Sequence, residues 1–376
     1  MMERAVTTNT TTTAPAALAH WEPHELEWLD ACPLCTSGDG TVLHEGLQDY
    51  IFMAAGGKWQ LMSCSACHCA FLNPRPSATT IGRAYATYYT HGAVAASGAA
   101  LSGRAWLRRA LANGYRNEIY GTQLTPSLGV LGMATARLSR AFRNAIEGEA
   151  PGLVRVRPRQ VGQSLILDVG CGSGLSLLRA RDAGWRVMGI EPDEEAVRTA
   201  NTRGIEIVAH HLHELPVSFD GTFERIMLSH VIEHVHDPIA MLSRCKQLLA
   251  PGSTLWLETP NLSSVGHDEF GADWRGLEPP RHLVMFRRAP LEALLRRAGF
   301  ANIRHSKPRE VWPYLFERSI ETRQRRLRLT VPAATASAAA PAIGESETLQ
   351  HRMQRASDIV EKNPERAEFL TLTATA

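Results

Sequence analysis

The sequence predicts an α/β protein whose largest domain is a doubly wound sheet, and three observations lead to this prediction. From about residue 161, short apolar strands alternate with helical patterns, which is typical of a parallel sheet with helices on both faces. The first of these strands, 164–169, runs into a glycine-rich turn at 170–174 that opens a helix. A last alternating segment, 367–374, is expected to return and complete a Rossmann-like sheet of seven strands.

Each element has a local signal. The predicted strands are the apolar runs at 164–169, 186–191, 205–208, 225–229, 254–258 and 301–305, followed by 367–374. Helices are predicted at 175–183, 194–202 and 290–298. A further helix is predicted to begin at Asp237-Pro238, because Asp is a good N-cap and Pro a good first helical residue. We expect it to end at Ala250-Pro251-Gly252, a common stop signal.

Shifts in composition divide the chain into five regions. Residues 1–20 form a Thr-rich tail that we expect to be disordered, 21–78 a Cys-rich module, 79–160 a mostly helical linking or capping region, and 161–310 the sheet domain. The last region, 311–376, combines three parts. It has a basic helical pattern over 312–329, an Ala/Pro-rich stretch at 332–343 that we expect to be flexible, and the final strand.

The overall charge gives no indication of a large charged partner. The chain of 376 residues has a formal net charge of +2, which gives no argument for a nucleic-acid or membrane partner. No apolar run reaches the ~18 residues that a membrane span needs, and the first residues lack the apolar core of a secretory signal. We therefore expect a cytoplasmic protein with no membrane partner.

Four cysteines form two knuckles near the N-terminus, Cys32-x-x-Cys35 and Cys64-x-x-Cys67. This spacing predicts a zinc ribbon in which four thiolates hold one structural Zn²⁺ in tetrahedral geometry. His68 and Cys69 lie beside the second knuckle and could take the place of Cys67. Unliganded buried cysteines are the alternative interpretation.

The glycine-rich turn and two nearby acids predict a nucleoside-cofactor site. Glycines let backbone N–H groups and a helix N-terminus approach a polar ligand that larger side chains would obstruct. Asp168 ends the first strand, where its charge would repel a dinucleotide pyrophosphate but favour an amino-bearing ligand. Glu191 ends the second strand about 20 residues further on, where nucleoside-binding folds place the acid that holds ribose hydroxyls.

The chain resembles class I S-adenosylmethionine-dependent methyltransferases over about 161–300. The matching motifs are Leu167-Asp168-Val169-Gly170-Cys171-Gly172-Ser173-Gly174, Gly189-Ile190-Glu191-Pro192, Leu215-Pro216, Ser229-His230-Val231-Ile232-Glu233-His234-Val235 and Leu248-Leu249-Ala250-Pro251-Gly252-Ser253. The resemblance implies that S-adenosylmethionine is the cofactor, with its aminoacyl part at Asp168 and the glycine turn and its ribose hydroxyls on Glu191. The implied cofactor-binding residues are Asp168, Gly170, Cys171, Gly172, Gly174, Glu191, Pro192, Leu212 and Ser229.

Two positions depart from the family pattern. No acid lies at His211-Leu212, near the position that usually offers a carboxylate to the adenine amino group. The turn after the fourth helix reads Pro251-Gly252-Ser253 and does not end in two glycines. A sheet that has lost its cofactor is the alternative to a working cofactor site.

The cysteine module and a late segment narrow the resemblance to a smaller group of methyltransferases. The run from Cys32 through Asp49, Trp59, 73–76 and 85–91 is similar to the N-terminal module of bacterial methyltransferases of glycan and deoxysugar biosynthesis. The segment 274–283, with 286 and 298–300 after it, is similar to the late segment of the same group. This resemblance implies a small-molecule acceptor, namely a sugar or a nucleotide-linked sugar.

Three residues after the fourth strand are the candidate catalytic residues: His230, Glu233 and His234. Methyl transfer to oxygen or carbon usually needs a base that takes the acceptor's proton, and histidine has a suitable pKa. The resembled sugar C-methyltransferases use a Glu-His pair at this place for deprotonation, which implies that role for Glu233 and His234. The alternative is that His234 caps the loop and Glu233 positions the cofactor.

Further features could serve the substrate or be structural. His282 lies in an insertion after the fifth strand, and Asn261 lies at its base, so both could shape the substrate site. The histidines at 210, 211 and 213 are more typical of a loop surface than of a metal site. The Arg-rich stretch 318–328 is typical of a solvated helix face, although it could contact an anionic substrate.

These observations favour a methyltransferase that acts on a small molecule, with two alternatives. An RNA methyltransferase with an N-terminal zinc finger is the second hypothesis, but Lys58 and Arg75 are the only Lys or Arg residues of 21–76, which argues against a surface that follows phosphates. A non-catalytic interaction protein with a degenerate domain is the third. The intact Asp168, glycine turn and Glu191 disfavour it.

Overall fold

The computed structural model describes residues 18–85, 103–330 and 348–376. Parts of four predictions lie outside the described residues: the tail over 1–17, the helical region over 86–102, the N-terminal resemblance over 86–91, and the flexible stretch 332–343. Within the described ranges, no helix combines the length and the apolar composition needed to cross a membrane.

The N-terminal half contains short strands followed by three helices: β1 Leu26–Glu27, β2 Gly40–Leu47, β3 Trp59–Cys64, β4 Ala70–Leu72, β5 Arg75–Pro76, α1 Gly103–Tyr120, α2 Gly129–Leu138 and α3 Arg140–Glu147. Strands and helices then alternate: β6 Leu165–Val169, α4 Leu175–Asp182, β7 Arg186–Ile190, α5 Glu194–Thr202, β8 Glu206–Ala209, β9 Phe223–Ser229, α6 Pro238–Leu248, β10 Leu249–Pro260 and α7 Val265–Phe270. The chain ends with β11 Val284–Met285, α8 Arg288–Arg297, β12 Ala301–His305, α9 Trp312–Thr330, α10 Leu349–Lys362 and β13 Phe369–Thr375.

Seven strands form the main sheet in the order β12-β13-β10-β9-β6-β7-β8. β6 pairs in parallel with β7 and β9, and β9 pairs in parallel with β10. β13 is antiparallel to both of its neighbours, β10 and β12. The prediction of a doubly wound, seven-stranded sheet that is completed by the last strand of the chain is confirmed.

The start of β10 differs from the prediction. α6 ends at Leu248, and Leu249 is already extended with φ −75° and ψ 134°. Leu249 pairs with Phe223, and pairing resumes only at Thr254. Gly252, with φ 72°, lies in the interruption. The signal at 250–252 therefore marks a bulge inside a strand that has already begun, and not the end of the helix.

The two faces of the sheet are covered by different helices, because side chains alternate along each strand. Ile166 and Trp256 face the helical region, where they share a core with Ile119 and Tyr120 of α1. Side chains of the opposite face, such as Leu257, join a larger core that includes α6 and α8. The described helices of the region predicted over 79–160, α1 to α3, thus cover one face of the sheet.

A second sheet, in the order β11-β4-β3-β2, forms the N-terminal module. Its edge strand β11 comes from the late segment, where Val284 pairs with Phe71. The module expected at 21–78 therefore depends on residues outside that range. Ordered structure also begins before residue 21: the N–H of Ala19 donates to Ala54 at 2.8 Å, inside the range expected to be a disordered tail.

Candidate active site

The carboxyl ends of four neighbouring strands meet at one edge of the main sheet. Val169 at the end of β6 pairs with Ile190 of β7 and Leu228 of β9, and Ser229 pairs with Glu258 of β10. The strand order reverses between β6 and β9, and open α/β sheets bind ligands in the crevice at such a reversal. The predicted cofactor acids and the predicted catalytic residues follow these strand ends.

The glycine turn after β6 has the backbone conformation that its glycines were expected to provide. Gly170, Gly172 and Gly174 have φ values of 71°, 53° and 77°, in the left-handed region that favours glycine. A Cβ atom on Gly170 would lie 2.8 Å from Cγ2 of Val231. The turn after β6 and the loop after β9 are therefore in close contact, and a larger residue would separate them.

Asp168 lies under this turn with only 4% of its surface exposed. Burial and the charge of Glu191 raise the pKa of Asp168 to about 8. Without a cationic group beside it, the carboxyl is therefore mostly neutral at pH 7. A cationic group of a ligand would reverse this preference, because an opposite charge close by favours the ionised acid.

Glu191 is buried and holds the turn from the side of β7. Its Oε2 accepts the N–H of Gly172 at 2.7 Å, and its Oε1 accepts the N–H of Asp193 at 2.9 Å. Both oxygens of this carboxylate are thus fixed by backbone N–H groups beside the glycine turn. The geometry is compatible with the ribose-binding role that the resemblance implies.

The remaining predicted cofactor residues differ in where their side chains lie. Cys171 directs its sulfur towards β7, since a Cβ on Gly189 would lie 2.6 Å from that sulfur. Pro192 is exposed beside Glu191, and Ser229 is half-buried at the end of β9. Leu212 is buried and belongs to the larger core.

Replacing Asp168 with asparagine is expected to stabilise the ligand-free protein while weakening cofactor binding. The folded-state pKa of about 8 exceeds the unfolded value of 3.8, so ionisation costs the folded state stability as the pH rises between these values. The variant removes about 2–4 kcal/mol of that cost at pH 7. Thermal unfolding should show a larger gain at pH 8 than at pH 5, and an equal gain at both would contradict the assignment.

His230 follows β9 and lies between two buried acids. Its Nδ1 is 3.3 Å from Oε1 of Glu233, and its Nε2 is 3.6 Å from Oε1 of Glu258. Burial opposes protonation, but the hydrogen bonds and charges of the two acids outweigh it and raise the pKa of His230 to about 10. The side chain is 35% exposed while both acids are fully buried. His230 therefore presents a positive charge to the crevice, and its catalytic role stays a prediction.

Glu258 is a member of this group that sequence reasoning missed. Thr371 donates to it at 2.7 Å, and Arg309 forms an ion pair with it. Burial favours the neutral acid, but the hydrogen bond from His230 and the charge of Arg309 outweigh burial and lower the pKa of Glu258 to about 2. The available signal was a charged residue inside the apolar run of β10, where an unpaired charge would be costly.

His234 is held by residues from two distant parts of the chain. Its Nδ1 lies 3.0 Å from the carbonyl oxygen of Arg281 and 3.1 Å from the hydroxyl of Tyr85. A carbonyl oxygen can only accept, so Nδ1 carries a hydrogen, and in the neutral ring the lone pair lies on Nε2. This tautomer suits a group that receives a proton through Nε2.

Glu233 and His282 complete the surroundings of His234. Glu233 is fully buried and accepts the hydroxyl of Thr259 at 2.9 Å. Burial disfavours its charge, but the hydrogen bond and the positive charge of His230 act against burial, and the pKa of Glu233 is lowered. The ring of His282 lies edge-on to His234 with 4.6 Å between centroids. Of the two residues expected to shape the substrate or the fold, His282 therefore belongs to the site.

Asn261 and the Arg-rich helix have structural contacts. The buried amide of Asn261 donates to the carbonyls of Glu365 and Ala367 at 2.8 Å and 2.7 Å, which joins the end of β10 to the segment before β13. In α9, Arg323 and Arg326 both pair with Asp273. These contacts favour the structural interpretation of Asn261 and of these two arginines.

A buried ion pair joins the N-terminal module to the site. Arg281 and Asp49 are both fully buried side chains, and the guanidinium makes two parallel hydrogen bonds to the carboxylate at 2.9 Å and 3.0 Å. The guanidinium also donates to the carbonyl of Ala84 at 3.0 Å and lies 4.2 Å from the ring centre of Phe52. The side chain of Arg281 therefore holds the carbonyl of Ala84, the residue next to Tyr85. The backbone carbonyl of Arg281 contacts His234.

The four predicted metal-ligating cysteines converge at the other end of the N-terminal module. The sulfurs of Cys32, Cys35, Cys64 and Cys67 all lie within 4.8 Å of one another. Cys32 to Cys67 is 3.7 Å and Cys35 to Cys64 is 3.5 Å, close to the edge of about 3.8 Å for a tetrahedron with Zn–S bonds of about 2.3 Å. The donor set and its dimensions fit Zn²⁺. Cys69 lies 3.4 Å from Cys32 but is not part of this quartet.

The central part of the chain matches a known domain family. Residues 141–305 match the family model described as a methyltransferase domain. This match includes the glycine turn and six of the seven strands of the main sheet.

Among curated proteins, the chain is 34% identical to the mitochondrial ubiquinone biosynthesis O-methyltransferase of Homo sapiens over 27% of this chain and 30% of that protein. It is 33% identical to the ubiquinone biosynthesis O-methyltransferase of Xanthomonas campestris over 26% of this chain and 43% of that protein. The chain thus spans less than half the length of these relatives. Among solved structures, a methyltransferase of Archaeoglobus fulgidus overlaps with a TM-score of 0.37 at 19% identity, covering 65% of this chain and 93% of that one.

Proposed function

We propose that this protein is an S-adenosylmethionine-dependent methyltransferase that acts on a small-molecule acceptor. The observation that carries the proposal is the convergence of two groups at one crevice: the Asp168–Glu191 pair around the glycine turn, and the His230–Glu233–His234 group after β9. The close contact of Gly170 with Val231 brings these groups side by side. The match of 141–305 to a methyltransferase domain supports the same function.

The cofactor's charged parts match the acids of the crevice. The sulfonium and amino groups of S-adenosylmethionine are cationic, and the buried Asp168 offers a carboxyl that such a charge would ionise. The ribose hydroxyls are hydrogen-bond donors, and we propose the carboxylate of Glu191, at the end of β7, as their acceptor. We propose that Gly170, Gly172 and Gly174 admit the aminoacyl part, and that Pro192, Leu212 and Ser229 border the nucleoside.

Isothermal titration of the full chain with S-adenosylmethionine tests this assignment. Binding should weaken at least tenfold in Glu191→Ala, whereas Glu195→Ala on α5 removes an acid of the same type outside the crevice and should bind like the wild type. Absence of binding to the folded wild-type protein would end the methyltransferase proposal.

We propose that the Glu233–His234 pair activates the acceptor, next to the cofactor's methyl group. His234 is half-buried and has its Nε2 lone pair free, so it can face an acceptor while Glu233 remains behind it. His230 contributes a positive charge at this end of the crevice, which would stabilise an acceptor anion.

The proposal also concerns the chemical class of the acceptor. The resemblance of the N-terminal module and of 274–283 supports a sugar or a nucleotide-linked sugar, while the names of the relatives support transfer to an oxygen atom. A screen of sugars, nucleotide-linked sugars and phenols that measures S-adenosylhomocysteine release would separate these classes. RNA in the same screen tests the less favoured alternative. The predicted cytoplasmic location stays a prediction.

We propose that Cys32, Cys35, Cys64 and Cys67 bind one structural Zn²⁺. All four corners of the quartet are thiolates, so no position remains open for a substrate, and the metal would stabilise the small N-terminal sheet.

Removing this metal is expected to destabilise the N-terminal module. Elemental analysis should find about one zinc per chain in the purified protein. Cys35→Ser should lose it and unfold at a lower temperature, because structural zinc contributes directly to folding. Cys245→Ala, which changes a buried cysteine of α6 outside the quartet, serves as the control and should keep its zinc. Full zinc content in Cys35→Ser would contradict the assignment.

A further inference from the structure

A second cluster of possible metal ligands lies in the crevice, away from the cysteines. Glu233, His234 and His282 each offer one ligand atom, and these three atoms lie within 4.8 Å of one another. Glu233 and His282 are buried and His234 is half-buried. The three side chains come from the loop after β9 and from the segment before β11, so the fold assembles the cluster from two distant parts of the chain.

Backbone carbonyls orient both imidazoles of the cluster. Nδ1 of His234 lies 3.0 Å from the carbonyl of Arg281, and Nδ1 of His282 lies 2.7 Å from the carbonyl of Gly276. Because a carbonyl can only accept, each Nδ1 carries a hydrogen, and in each neutral ring the lone pair lies on Nε2. Histidines that ligate metals are held in this manner by their other ring nitrogen.

Glu233 retains capacity for a cation. Its Oε2 accepts the hydroxyl of Thr259 at 2.9 Å, and its Oε1 lies 3.3 Å from Nδ1 of His230. Each oxygen has two acceptor positions, so one remains on each. Two imidazoles and one carboxylate suit a first-row divalent transition metal, in contrast to the thiolates of the N-terminal module.

We propose that Glu233, His234 and His282 bind a divalent transition-metal cation at the acceptor end of the crevice. The inference rests on the proposed function and specifies it: the acceptor would be a hydroxyl compound whose oxygen becomes a further ligand of the cation. A coordinated hydroxyl releases its proton to water more readily, because the cation stabilises the oxyanion. That oxygen then forms the bond to the methyl carbon, and the cofactor's sulfur leaves with the electrons of the broken S–C bond. With the cation bound, His234 acts as a ligand.

Titration of the zinc-loaded, full-length protein with Mn²⁺, followed by electron paramagnetic resonance, tests the proposal. Mn²⁺ favours oxygen and nitrogen donors over thiolates, so the cysteine quartet does not compete for it. We expect one Mn²⁺ per chain in the wild type and binding at least tenfold weaker in His282→Ala and in Glu233→Gln. His351→Ala, on the exposed face of α10, is the matched control and should bind Mn²⁺ like the wild type.

The same samples, titrated with S-adenosylmethionine, separate this inference from the proposed function. If S-adenosylmethionine binds but Mn²⁺ does not, or if His282→Ala binds Mn²⁺ as well as the wild type does, the metal site is wrong and the methyltransferase proposal stands. If the variants still bind S-adenosylmethionine while losing Mn²⁺, they are folded and the metal site is supported. Failure of S-adenosylmethionine binding in the wild type would overturn the proposed function itself.

Discussion

Replacing His234 with alanine is expected to lower turnover by about 10²–10⁴-fold, the usual contribution of a positioned group that activates the acceptor. The side chain is half-buried, with its ring fixed by the carbonyl of Arg281 and by Tyr85. Because the predicted cofactor contacts lie across the crevice on Asp168 and Glu191, cofactor affinity should change less than threefold. Single-turnover release of S-adenosylhomocysteine measures the first effect, and isothermal titration measures the second.

His351→Ala provides the matched control for this experiment, since it removes an exposed imidazole on α10. It should leave turnover and cofactor affinity unchanged. Unchanged turnover in His234→Ala would remove this residue from acceptor activation. A parallel loss of cofactor binding and turnover would instead favour the alternative in which His234 organises the loop after β9.

Replacing Arg281 with methionine is expected to destabilise the protein by about 3–5 kcal/mol, because it leaves the buried carboxylate of Asp49 without its charge partner. Both side chains are fully buried, and the guanidinium also holds the carbonyl of Ala84. Equilibrium urea denaturation measures the loss. Arg198→Met provides the control, since Arg198 pairs with Glu194 on an exposed helix surface, where such pairs contribute at most about 1 kcal/mol.

A double variant separates the unpaired charge from lost packing. Asp49→Asn combined with Arg281→Met removes both charges, so it should be more stable than Arg281→Met alone. An additive loss in the double variant would mean that the ion pair does not carry the interaction between the N-terminal module and the late segment.

The sequence was most informative where the structure follows from neighbouring residues. Strand β12 begins and ends where its alternation predicts, at Ala301–His305. The glycine turn was readable because a left-handed backbone conformation at 170, 172 and 174 has a direct residue signature. The α6 N-cap was likewise local: Asp237 accepts the N–H of Ala240, as the Asp-Pro signal indicated.

The surroundings of His234 were less accessible, because they depend on contacts between distant residues. Tyr85 and Arg281 both contact Nδ1 of His234, although Tyr85 comes long before His234 in the sequence and Arg281 comes after it. No local pattern specifies such pairings. β11 has two residues, Val284 and Met285, which is too short for a periodic signal. Glu258 offered a signal, a charge in a buried strand, but its partner Arg309 follows only after α7, β11, α8 and β12.

The edge strand β11 also has a consequence for how the chain matures. Strands β2, β3 and β4 leave the ribosome long before Val284 and Met285, which complete their sheet. During synthesis the edge of β4 therefore stays unpaired until β11 has been made. Unpaired strand edges associate readily with other chains. The segment that supplies β11 also carries Arg281 and His282. A chain that has completed its N-terminal sheet has therefore also placed these two residues beside the crevice.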